Sequence, residues 1–185
     1  MSQLQVDLSA YNNEWYKPGG RFRKAVWYFT NIIFFKSSLF PFYGLKVLLL
    51  RMFGAKVGKG VLIKPNVNIK YPWLLSIADH VWIGENAWID NLAQVTIGSN
   101  TCISQGALIL CGNHDYTDSR FGLIVKPVVL EEGVWIGAET IVAGGSICKS
   151  HAVLAAGSVC SGILESYSVY RGNPAVKIKD RVIIK

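Results

Sequence analysis

A chain of 185 residues with 51% apolar content can close one sizeable core, which excludes disordered and fibrous classes. The formal charge of +7 is unevenly spread: residues 1–56 hold eight Lys/Arg against Asp7 and Glu14, residues 57–176 seven against nine acids, and residues 177–185 four against Asp180. Neither basic end carries the aromatic-interleaved Arg/Lys stripe that single-strand binders need, so no nucleic-acid partner is expected.

In chain order, the N-terminus lacks the basic opening, short apolar core and small-residue cleavage site of a secretory signal, which points to a cytoplasmic protein. Residues 25–50 are very apolar but are interrupted by Lys36, Pro41 and Lys46, and the longest uncharged run, Ala25 to Phe35, has 11 residues. A bilayer span needs about 20. Residues 1–56 therefore read as a helical, apolar cap packed on the main domain or on a neighbouring subunit. The alternative is a helix lying on the inner membrane surface.

From Val57 onward, branched residues recur at every sixth position: Val57, Ile63, Ile69 and Leu75, then after a two-residue slip Ile77, Ile83, Ile89 and Val95. A second slip leads to Ile97, Ile103 and Ile109, and the beat resumes at Leu130, Ile136, Val142, Cys148, Leu154 and Cys160. A helix repeats at 3.6 and an ordinary strand at 2, so neither produces a period of six. A mainly β solenoid does, with three six-residue flats per triangular coil and about five coils of eighteen residues each. The division expected is a cap over 1–56, a solenoid over 57–176 and a basic tail over 177–185.

The stretch LILCGNHDYTDSRFGLIVKP keeps no beat. An excursion over residues 113–127 is longer than a turn requires, and such a protruding loop is usually functional. His80 and His151 fall three residues past a position of the beat and are expected at the surface. Cys102, Cys111, Cys148 and Cys160 form no CxxC pair and read as reduced, buried thiols.

The rungs IGENAWI, IGSNTCI, WIGAETIV and LAAGSV resemble those of the hexapeptide-repeat acyltransferases. NHDYTDSRFGLI and the closing RGNPAVKIKDR look most like the sugar O-acetyltransferases of colanic-acid and exopolysaccharide biosynthesis. The resemblance implies a left-handed parallel β-helix, a homotrimer with clefts between subunits, acetyl-CoA as co-substrate, and no bound cofactor or metal. It implies His114, at the root of the loop, as general base toward a sugar hydroxyl, since an imidazole can take a proton near neutral pH. Tyr116 and Arg120 would then contact the acceptor. Asp90 and Asn91 read either as further acceptor contacts or as an Asx turn at a solenoid corner.

By the same resemblance Ala138, Ala156 and Ser161 border the pantetheine arm, and Lys177, Lys179 and Arg181 meet the nucleotide phosphates. Ser161-Gly162 stands where relatives often carry Thr-Lys, and Val176 where they carry Arg. The fold alone leaves other functions open. A zinc-dependent carbonic anhydrase needs imidazoles near His114, but the positions five away hold Ile109 and Ser119. A Cys111–His114 nucleophile pair is disfavoured because the resembled enzymes transfer directly. An N-acetyltransferase and a non-catalytic scaffold remain as alternatives.

Overall fold

The structure, a computed structural model, describes residues 4–185. Residues 56–172 wind into a three-faced β-solenoid. The first face stacks Lys56–Val57, Leu75–Ile77, Val95–Ile97, Val128–Leu130, Ile147–Cys148 and Ile163–Leu164, all parallel. The second face runs from Leu62–Ile63 to Ser168–Gly172, and the third from Asn68–Ile69 to Val159–Cys160. Each branched residue of the beat turns inward and stacks on its counterpart in the next coil. Ile63, Ile83, Ile103, Ile136 and Leu154, for example, form one column at 1% exposure or less. Burial of each such side chain stabilises the coil stack by about 1.5–3 kcal/mol.

The corners explain the rest of the pattern. The residue three places after a branched one takes left-handed backbone at the first and second corners of each coil. Gly60, Gly106, Gly133 and Gly157 do so at φ 67–68°, and Asn66, His80, Asn86, Asn100, Glu139, His151 and Tyr167 at φ 52–62°. Gly and Asn tolerate that region best, hence their recurrence. His151 departs from expectation: it is half-buried, its ring stacked on that of Tyr167 at 4.7 Å and 2°.

Coil length also departs from eighteen residues. Val57 lies under Ile77 and Ile77 under Ile97, so the early coils take twenty. The extra residues lie at the third corner, where Pro72–Leu74 makes a 3-10 turn.

The N-terminal cap closes the lower end. Helix Arg21–Thr30 continues through a π-helical turn, Asn31–Phe35, and a second helix spans Tyr43–Met52. The first coil has no coil beneath it, so the backbone of its inward residues would lack partners. Cap side chains supply them on all three faces. Arg51 donates to the Val57 carbonyl (Nε 3.1 Å, Nη2 2.8 Å), Lys46 Nζ to those of Lys64 (2.9 Å) and Ile63 (3.4 Å), and Trp27 Nε1 to that of Ile69 (2.8 Å). Asn31 Oδ1 accepts from the Ile69 N–H at 3.4 Å. Trp27 packs against Phe35 and Phe53 at ring distances of 5.2 and 5.0 Å.

The upper end is closed differently. Ala175–Asp180 is a strand, antiparallel to Ser168–Gly172, so the residues expected as a separate basic tail from 177 begin inside the last ladder of the second face. No described helix is long and apolar enough to cross a membrane.

Candidate active site

The excursion over 113–127 is a β-hairpin. The third-face strand Leu108–Leu110 ends, the chain leaves the coil, and Gly112–His114 pairs antiparallel with Leu123–Val125, His114 opposite Leu123. Gly112 marks the exit, because a β-carbon there would collide with the Leu92 side chain. Two Asx turns shape the tip. The Asp115 carboxylate accepts from Thr117 N–H (2.9 Å) and hydroxyl (2.6 Å), and Asp118 Oδ1 accepts from Arg120 N–H (3.0 Å). The bonds from Thr117 hold the Asp115 carboxyl below its ordinary titration range, and the Arg120 guanidinium, followed by its backbone N–H, does the same for Asp118.

The His114 imidazole is fixed from two sides. Nδ1 lies 2.9 Å from the Phe121 carbonyl oxygen, and the ring stacks on the Phe121 ring at 4.4 Å and 8°. A carbonyl only accepts, so Nδ1 carries a proton, and in the neutral ring the lone pair is the one on Nε2. Phe121 sits at φ 54°, a conformation that costs a bulky residue free energy, and its carbonyl is the group that orients the imidazole. Asp115, although adjacent to His114, is engaged with Thr117.

An N-terminal segment supplies a wall that sequence reasoning missed. Asp7 N–H donates to the Ser119 carbonyl at 2.8 Å, and the Tyr11 ring lies 5.8 Å from the His114 ring. Further along, the Tyr16 hydroxyl donates to the Leu92 carbonyl at 2.6 Å, and burial pushes its pKa upward. No periodic signal covers these residues, and the aromatics Tyr11, Trp15 and Tyr16 before the first helix are the local signal there.

The other expected acceptor contacts divide. Asn91 is fully enclosed: its amide nitrogen donates to the Tyr71 (2.6 Å) and Leu74 (3.0 Å) carbonyls, and its oxygen accepts from Tyr71 N–H at 3.0 Å. Of the two readings, these bonds favour the structural one at the solenoid corner, because the side-chain amide of Asn91 is engaged with the long third corner below it. Asp90, 7% exposed, is ion-paired with Lys70 Nζ at 2.9 Å, but its buried Oδ1 makes no hydrogen bond of good geometry among the described residues. Tyr116 is 81% exposed at the hairpin tip, and Arg120 is paired with Asp118 at 3.1 Å. Neither makes a hydrogen bond to His114 among the described residues. The Cys111 thiol is buried and desolvation pushes it up to about 11, which leaves it a neutral, poor nucleophile.

A groove of about 870 Å³ runs along the later coils, bordered by Trp135, Gly137, Ala138, Ala156, Lys179 and Arg181, among others. Its floor lies close to the backbone: a β-carbon on Gly137 would meet the Ala156 nitrogen at 2.6 Å. Four of the six residues expected at the donor therefore share one groove. Ser161 does not, for it borders a separate small cleft with Ile163 and Pro174. Lys177 is paired with Asp180 at 2.7 Å and also does not border the groove. Arg181 borders it, but Nη1 donates to the Gly133 (2.8 Å) and His151 (3.1 Å) carbonyls, so this guanidinium chiefly anchors the chain end to the coils.

No protein-family profile matches the chain. It is 34% identical over 177 residues, 95% of its own length and 97% of the relative's, to WcaF of Escherichia coli (strain K12), a protein named for an acetyltransferase of colanic acid biosynthesis. Among solved structures, the hexapeptide-repeat acetyltransferase VCA0836 of Vibrio cholerae shares the fold at a TM-score of 0.79 and 23% identity, covering 86% of this chain and 90% of that one. A maltose O-acetyltransferase of Clostridium difficile 630 follows at 0.72 and 21%, covering 87% of each. Coil stack and a match along nearly the whole length agree: the chain belongs to the hexapeptide-repeat acetyltransferases, in the branch represented by the colanic acid biosynthesis protein WcaF.

Proposed function

We propose that this enzyme transfers acetyl from acetyl-CoA directly to a sugar hydroxyl in the synthesis of a cell-surface polysaccharide, with His114 as the general base. The observation that carries the reading is the locked imidazole, whose Nδ1 is held by the Phe121 carbonyl so that Nε2 is the free acceptor. The acceptor O–H proton passes to Nε2 as its oxygen bonds to the thioester carbonyl carbon. The tetrahedral adduct then collapses, the C–S bond breaks, and the proton on Nε2 is returned to the departing thiolate. Direct transfer fits a Cys111 thiol held neutral by burial.

Support for the donor comes from the groove on the later coils and from VCA0836, which is also known complexed with acetyl coenzyme A. The pantetheine arm lies along Ala138 and Ala156, with Lys179 toward the phosphates. The name of WcaF supports a polysaccharide precursor as acceptor. Tyr116 and Arg120, on an exposed tip, serve a cleft completed by a second subunit of a homotrimer, while Tyr11 walls the acceptor side of His114. Acetyl-CoA as donor supports a reaction in the cytoplasm.

The test is acetyl transfer by wild type and His114→Ala over a panel of nucleotide sugars, oligosaccharides and their amino-sugar counterparts. Removing a positioned general base should lower kcat by about 10²–10⁴ and leave the KM for acetyl-CoA nearly unchanged. If folded His114→Ala kept more than about a tenth of wild-type turnover, His114 would not be the base. Transfer confined to amines would overturn the hydroxyl assignment.

A further inference from the structure

The cap that seals the first coil has a second side. In helix Arg21–Thr30 and its π-helical continuation, Trp27 and Asn31 turn into the solenoid. At 100° per residue, Phe22, Val26, Phe29 and Ile33 fall within about 60° of one another, on the side opposite those two. All four are exposed, Phe22 at 83% and Phe29 at 62%. In the second helix, Lys46 and Leu50 face the coil, while Leu48 and Met52 are exposed on the far side. Both helices thus turn an apolar surface outward beneath the base.

The charge around this surface is one-sided. From Trp15 to Ala78 the sequence has eleven Lys/Arg and not one Asp or Glu. Arg23, Lys46 and Arg51 are spent on backbone carbonyls and Lys70 on Asp90, which leaves Lys17, Arg21, Lys24, Lys36, Lys56, Lys59 and Lys64 with no acid in the stretch to neutralise them. Lys24 and Lys36 also border, with Lys70, Tyr71 and Trp88, a cleft of about 440 Å³ between the first helix and the third face.

We propose that the capped base is a docking surface for an anionic bilayer. The stripe of Phe22, Val26, Phe29 and Ile33 enters the boundary between headgroups and acyl chains, and the surrounding lysines, with the Lys24–Lys36 cleft, hold lipid phosphates. An apolar stripe within a cationic rim is the pattern of a helix lying in the interfacial plane. A ten-residue helix rests on a bilayer and does not cross it. The choice of a bilayer over a second copy of the chain rests on charge: a copy would set this cationic surface against its own like.

The experiment is co-sedimentation of the full chain with vesicles of mixed phosphatidylglycerol and phosphatidylcholine, and with phosphatidylcholine alone. Binding should be at least about tenfold tighter on the anionic vesicles and should weaken as salt rises. Phe22→Ser with Phe29→Ser should reduce anionic-vesicle binding by roughly tenfold or more. Lys24→Gln with Lys36→Gln should reduce it by about 25-fold, near fivefold per charge. These side chains are surface groups, so coenzyme A binding should be retained, which keeps failure here distinct from failure of the catalytic reading. Equal binding to neutral and anionic vesicles, or no binding to either, overturns the proposal. So does a Phe22→Ser/Phe29→Ser variant that keeps full vesicle binding but loses mass by light scattering, for that stripe would join copies of the chain.

Discussion

Lys46 is a fully buried ammonium whose purpose, on this structure, is to satisfy the lower edge of the second face. Lys46→Met keeps the length of the side chain and removes the donor. The bond to the Lys64 carbonyl at 2.9 Å is charge-assisted and contributes about 1.5–3 kcal/mol, whereas the 3.4 Å contact with Ile63 adds little. Removal of a desolvated charge offsets part of the loss. The net expectation is a destabilisation of about 1–2 kcal/mol, a fall in the urea midpoint of roughly half a molar, with unchanged slope.

The same residue carries a pH signature. Burial lowers the Lys46 pKa from its ordinary 10.5, so between the folded value and 10.5 the unfolded chain binds more protons and stability rises with pH. Below that window the folded state bears the cost of the buried charge. The neutral amine still donates, so the gap between wild type and Lys46→Met should widen as pH is raised toward 10.5. Urea titrations at several pH values measure it. A variant as stable as wild type at pH 7, with a gap that does not move with pH, would refute the edge-sealing account.

Two other substitutions probe the site's supports. Asn91→Ala removes three buried hydrogen bonds and should cost about 2–4 kcal/mol by thermal or urea unfolding while leaving hairpin chemistry in the surviving folded fraction; a large loss of kcat without loss of stability would restore Asn91 as an acceptor contact. With its pKa at about 11, Cys111 is a thiolate in about one chain per thousand at pH 8, so maleimide should label it at least about a hundredfold more slowly than a free peptide thiol, and Cys111→Ser should keep its activity. An acetyl group trapped on Cys111 during turnover would contradict direct transfer.

The inward columns, the helical cap and the point where the chain leaves the coil were legible because each is written locally. Branched residues at a spacing of six, an apolar run broken by lysines, and a histidine where the beat stops need no knowledge of distant neighbours. What was not legible depends on how coils stack. Ser161 and Ala156 are five residues apart, yet a corner between them sends Ser161 to a different cleft. Asn91 looked available until the twenty-residue coil beneath it placed Tyr71 and Leu74 within reach of its amide. Tyr11 reaches His114 across more than a hundred residues of sequence, by way of a segment with no period at all. Lys177, Lys179 and Arg181 read as one basic cluster, but the chain end brings Lys179 and Arg181 to the groove and leaves Lys177 paired with Asp180.

That final strand, Ala175–Asp180, has a consequence for how long the molecule can be. Every coil below it runs parallel to its neighbours and could in principle template another, as the exposed rung of a fibril does. The last strand runs the other way, so on the second face a copy arriving from above meets reversed polarity, and the parallel register of the coils is not continued there. Size is therefore set at the two ends, while the middle is modular. Duplicating the coil from Leu130 to Ile147 should lengthen the column by one layer and leave both ends, and the hairpin below the insertion, as they are.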